Sequence, residues 1–115
     1  MSASSVVGSA VAYASPAPLS SLRGTATGTG GAQTLFSFIA SQSGLWAVAV
    51  RDLTTTTNFS YRLVAVSPAG ADTLVSATAL TGIVDTGITT SVAGSAYQIT
   101  ATLGNSISWT ATKLA

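Results

Sequence analysis

From residue 33 onward, apolar and polar positions alternate with a period of two, in runs of about eight residues. The runs "QTLFSFIA" (33–40), "LWAVAVRD" (45–52), "FSYRLVAVS" (59–67) and "TLVSATAL" (73–80) are rich in β-branched and aromatic residues and predict strands. Turn-forming stretches separate them. "SQSG" precedes Leu45, "TTTTN" precedes Phe59, and "SPAGAD" sets Pro68 second and Gly70 fourth, as a type I turn favours. "GIVDTGITTSV" (82–92) predicts one or two further short strands, and no helical period appears anywhere. Six to eight strands at this spacing predict an all-β antiparallel sandwich, with a jelly roll as one form it can take.

The last two runs, in "AYQITATLGNSISWTATKL" (96–114), carry a register argument. Tyr97, Ile99, Ala101 and Leu103 share one face, and Ile107, Trp109 and Ala111 share one face of the next run. A two-residue loop at Gly104-Asn105 would set Thr100 against Trp109, mixing apolar and polar residues on one side. Two arrangements avoid this. Either a three-residue loop pairs Leu103 with Ile107, or the chain arches between two sheets and both apolar faces point inward. In both, Gln98, Thr100, Thr102, Ser108, Thr110 and Thr112 lie outside.

Residues 1–32 differ from the rest. They are rich in Ser, Ala and Gly and contain Pro16 and Pro18, which hold the backbone extended, while "GTATGTGG" (24–31) offers little to bury. Residues 1–32 are therefore read as an extended N-terminal arm and 33–115 as the sandwich domain. "VVGSAVAYA" (6–14) is far shorter than a membrane helix. It ends like a signal-peptidase site but has no Lys or Arg before it, and is read as part of the arm.

Charge narrows the function classes. Only 6% of residues are charged, against about 25% in an ordinary domain, and the net charge is +1. The full set is Arg23, Arg51, Arg62, Lys113, Asp52, Asp72 and Asp85, too sparse for a phosphate-binding face, so no nucleic acid partner is expected. There is no Cys and no His, which removes thiol chemistry and the commonest general base and metal ligand. A Thr-rich face stays soluble without charge and is desolvated more cheaply than a charged one. It also lacks the usual protection against edge pairing, so a homo-oligomer is expected.

The chemical motifs reduce to structural roles. "IVDTGITTSV" (83–92) resembles the catalytic loop of retroviral-type aspartic proteases. That family carries the loop early and needs a second apolar-apolar-Gly segment well downstream, whereas too little chain follows Gly87 here. The expectation is a turn in which Asp85 accepts backbone hydrogen bonds and Gly87 takes a positive φ. "GTGG" lacks the remainder of a phosphate loop, and the three aspartates are isolated beside turns. Trp46, Tyr61, Tyr97 and Trp109 could form a sugar-stacking platform but are assigned to the core. Asn58-Phe59-Ser60 fits a glycan acceptor, which matters only in a eukaryotic secretory pathway. No catalytic residue, cofactor or metal ligand is expected.

A nearly uncharged, Thr-rich β domain behind a long arm resembles small virion proteins of tailed bacteriophages, capsid decoration or cement proteins in particular. The resemblance covers the layout of the whole chain and rests on no motif. It implies a virion location, a structural role in many copies, often as trimers, and attachment to the major capsid protein or another virion protein. A tail, neck or head-fibre module is the alternative within that class, and a carbohydrate-binding sandwich the alternative outside it. Tyr13, Leu19, Leu22 and Arg23 in the arm are the expected partner contacts: the apolar three would each contribute about 1.5–3 kcal/mol if fully buried, and Arg23 a charge-assisted hydrogen bond.

Overall fold

The computed structural model describes residues 21–69, 72–79, 82 and 85–115. The chain is an all-β antiparallel sandwich, with eight strands among the described residues: β1 (Ser21–Thr27), β2 (Ala32–Ser37), β3 (Gly44–Asp52), β4 (Phe59–Ala69), β5 (Asp72–Ala79), β6 (Thr89–Ala93), β7 (Ala96–Thr100) and β8 (Ser106–Lys113). Five strands form one sheet in the order β1-β8-β3-β4-β5, and three form the other in the order β2-β7-β6. The expected strands are present, with two changes at their ends. β4 runs through Pro68, which pairs with Thr73, so the ladder extends into the stretch expected to turn. β2 carries a register shift between Thr34 and Phe36 that leaves both Leu35 and Phe36 half-buried, breaking the alternation read from sequence.

The inner faces supply the core. Trp46, Val48 and Val50 of β3, Val64 and Val66 of β4, and Ile107, Trp109 and Ala111 of β8 meet Tyr97 and Ile99 of β7. Aromatic rings join the two sheets: Phe36 stacks on Trp109 at 4.3 Å and on Tyr97 at 5.4 Å between centroids. A short 3-10 turn, Ala40–Gln42, leads into β3 and satisfies the deepest indole, since Trp46 Nε1 donates to the Gln42 carbonyl at 2.8 Å.

The chain between β7 and β8 arches from one sheet to the other, the second of the two arrangements compatible with the sequence. β7 pairs with β2 and β6, β8 with β1 and β3. Tyr97 and Ile99 therefore face Ile107 and Trp109 across the core, and Thr100 and Thr110 lie on opposite outsides of the sandwich. Leu103, expected on the apolar face, is 74% exposed. β7 ends at Thr100, and the turn closed by Asn105 N donating to the Thr102 carbonyl carries Leu103 out to solvent.

The boundary drawn at Ala32 falls inside the domain. Ser21–Thr27 is a full edge strand, pairing with β8 from Ser21 opposite Thr112 to Thr27 opposite Ser106. The glycine-rich stretch after it is held to the arch by three backbone hydrogen bonds, Gly28 N to Asn105 O, Gly104 N to Gly28 O and Gly30 N to Ala101 O. Composition misled because β1 needs few apolar side chains. The indole of Trp109 lies against Gly24, where a Cβ would sit 2.9 Å from the ring, so glycine is what lets the strand close over the core.

Candidate functional site

Tyr13 and Leu19 lie outside the described residues. Leu22 and Arg23 are adjacent in β1 and so point to opposite faces. Leu22, opposite Ala111, is half-buried and packs on the core. Arg23, opposite Thr110, is exposed on the outer face. Of the four aromatic candidates, Trp46, Tyr97 and Trp109 are core residues, and Tyr61 stands half-buried on the outer face of β4.

Asp52 and Asp85, the two aspartates whose side chains the structure describes, are both occupied. Among the described residues the partners of Asp85 are side chains, where backbone amides were expected. Its carboxylate takes the Ser60 hydroxyl at 2.7 Å, the Arg62 guanidinium at 2.5 Å and the Thr90 hydroxyl at 3.3 Å, tying the segment before β6 to β4. The hydrogen bond to Asp85, acting against partial burial, raises the Arg62 pKa and keeps its charge fixed. Gly87 has φ of +71° as expected, and Thr86 and Phe59 exchange backbone hydrogen bonds beside it. Tyr97 lies beside this cluster. Burial raises its pKa, and its hydroxyl, near those of Thr90 and Ser60, makes no hydrogen bond of good geometry.

Asp52 lies close by, at the turn between β3 and β4. Its Oδ1 accepts the Thr54 and Thr55 amides at 2.8 and 2.9 Å, and its Oδ2 accepts Asn105 Nδ2 at 2.6 Å and Asn58 Nδ2 at 3.3 Å. The Thr55 amide is the largest influence holding its carboxyl below the usual range; burial opposes it, and Asn105, Thr54 and Asn58 add to it. One carboxylate thus shapes the turn after β3 and anchors the β7–β8 arch. Among the described residues no three acidic side chains, His or Cys come together as a metal site would require, and no helix is long and apolar enough to cross a membrane.

The open chemistry lies on the outer face of the five-stranded sheet. Registers set its side chains in rows. One row runs Ser21, Thr112, Ala47, Leu63; the next Arg23, Thr110, Ala49, Tyr61; the third Thr25, Ser108, Arg51, Phe59. Phe59 and Tyr61 stack on each other at 4.8 Å between centroids. Ala47 and Ala49 are the small residues between that aromatic ridge and the hydroxyls of Thr110 and Thr112, and they floor a trough of about 290 Å³. Two neighbouring depressions, about 260 Å³ beside Arg51 and about 490 Å³ beside Arg23, also border Thr110 and Ser108. Among the described residues the one ion pair is Arg62–Asp85, on the inner side, so Arg23 and Arg51 are unpaired cations on this face.

The chain matches no family model, no curated protein and no solved structure. What the face can do follows from its own groups: an apolar ridge, a hydroxyl bank and two guanidiniums, over strands whose backbone groups are used within the sheet. Sequence reasoning missed this arrangement at β4. Val64 and Val66 must point inward, which by strict alternation sends Ser60 and Arg62 inward and Phe59, Tyr61 and Leu63 outward. That signal was present, but hydrophobicity alone reads both faces of "FSYRLV" as mixed.

Proposed function

We propose that the chain is a structural protein of a bacteriophage virion, a capsid decoration or cement protein that binds the shell through its β domain and N-terminal segment. In this reading it is no enzyme, uses no cofactor, acts as a homo-oligomer, with a trimer favoured, and contacts the major capsid protein or another virion protein.

The observation that carries the reading is the edge formed by β1. A protein that stays monomeric guards its sheet edges with short strands, bulges, proline or charge. In the three-stranded sheet β2 is bulged and β6 spans five residues. β1 has seven residues, a regular ladder on one side, no proline or carboxylate, and Arg23 as its sole charge. The chain enters β1 directly from residues 1–20, where Pro16 and Pro18 lower the cost of laying the backbone along a partner. An edge without a second partner among the described residues, preceded in sequence by a proline-bearing segment, suits attachment to neighbouring subunits.

A variant beginning at Ser21 tests this, measured by binding to particles lacking the protein, beside thermal unfolding. The expected result is an unchanged melting temperature with most of the attachment lost. Undiminished binding by a folded Ser21 variant would remove the N-terminal segment from the interface.

A further inference from the structure

We propose that the outer face of the five-stranded sheet binds an acidic polysaccharide, a chain containing uronic acid units. The site is the trough floored by Ala47 and Ala49 and its extension past Arg51 and Arg23. This goes beyond the virion reading and does not depend on it.

The chemistry of the face selects the ligand. Phe59 and Tyr61 stack on each other in a ridge along β4, so each ring keeps one face clear of the other, an electron-rich surface suited to the C–H side of a pyranose ring. Across the trough, Thr110, Thr112 and Ser108 present hydroxyls, which both donate and accept and so match sugar hydroxyls in either sense. Arg51 lies opposite Phe59 on one side and Ser108 on the other, at the end of the trough. A guanidinium without an ionic partner there fits a carboxylate attached to a ring that is already stacked. Arg23 lies two strands over and one row along, about 12 Å away by sheet spacing, so one extended chain can reach both cations.

Other occupants fit less well. A peptide adding as a strand needs free backbone N–H and C=O groups, and on β8, β3 and β4 these are engaged on both sides within the sheet. Nucleic acid needs a cation for each phosphate neutralised, and this face offers two. A neutral glycan leaves both guanidiniums unused. A second copy packed face to face would bring four arginines together, and the aspartate that the register places on this face, Asp72 opposite Ala69, stands at the far end of β4 from the row of Arg51 and Phe59.

Affinity electrophoresis of the full chain through gels containing alginate tests the proposal, with neutral dextran and poly-glutamate as comparisons. Alginate should retard the protein and dextran should not. Arg51→Gln should weaken binding about tenfold or more, and Tyr61→Ala about two- to tenfold. Thr110→Val, which keeps shape and strand preference while removing a hydroxyl, should weaken it as well, and circular dichroism shows whether each variant is folded. Absence of retardation by alginate overturns the proposal. So does equal retardation by poly-glutamate with Tyr61→Ala silent, which marks charge alone, or equal retardation by dextran with Arg51→Gln silent, which marks a neutral glycan.

Discussion

Tyr97 is a core residue with a polar end that gains little from the fold. Its ring stacks against Phe36 and is fully enclosed, while its hydroxyl makes no hydrogen bond of good geometry. Removing a buried, unsatisfied hydroxyl removes a desolvation penalty, so Tyr97→Phe should leave stability unchanged or raise it by about 0–1 kcal/mol at neutral pH. The alkaline limb separates the two proteins further. Burial raises the Tyr97 pKa, so the folded state favours the neutral phenol. That contribution is fully present below the ordinary tyrosine value of about 10 and is lost as pH rises through the folded value. Thermal melts at neutral pH and near pH 11 should therefore show a smaller alkaline loss for Tyr97→Phe than for the parent; equal losses would show that Tyr97 ionises as freely folded as unfolded. The polar cluster beside it was not legible in sequence. Asp85, Ser60, Arg62 and Thr90 are brought together by the crossing of two sheets, which no local pattern encodes. Asp52 was half legible: its turn amides are two and three residues away, its Asn105 partner far along the chain.

Among the elements, the period-two runs located β3, β4 and β8 because each has a face of large apolar residues. They failed at β1, whose inward set is Leu22, Gly24 and Ala26. A strand covering a bulky neighbour is built from small residues, and small residues carry no hydrophobic signal. The consequence is measurable. A variant beginning at Gln33 lacks β1, leaving β8 as an edge and uncovering one side of the Trp109 indole. The lost burial of Leu22 and the lost ladder should lower stability by about 2–4 kcal/mol and shift tryptophan emission to the red, while Trp46 stays enclosed. The variant beginning at Ser21 should show neither change. Identical melting and emission for the Gln33 variant would mean that β1 contributes nothing to the fold and that the composition boundary at residue 32 was right.

For the molecule as a whole, what matters is where so little charge is placed. Asp52 and Asp85, the aspartates whose side chains the structure describes, are both turned to internal hydrogen bonds, Asp52 at the turn after β3 and Asp85 against Arg62, so neither supplies surface repulsion. The net charge of +1 gives the protein little general protection against association. β1 meanwhile offers a regular, nearly uncharged edge to pair with. Self-association is the expected outcome, driven by backbone pairing and desolvation of hydroxyl and apolar surface. Because few charges take part, the size of the assembly should change little between low and high salt, unlike one held by surface ion pairs. Sedimentation of the full chain over a range of concentrations should show a discrete oligomer, a trimer by the virion resemblance, at both salt levels. Pairing through the β1 edge also predicts that Thr25→Lys, a charge at an exposed position of that strand, weakens the oligomer while leaving the melting temperature unchanged. A monodisperse monomer at high concentration would show that the open edge is tolerated in solution and would weigh heavily against a role that requires many copies side by side.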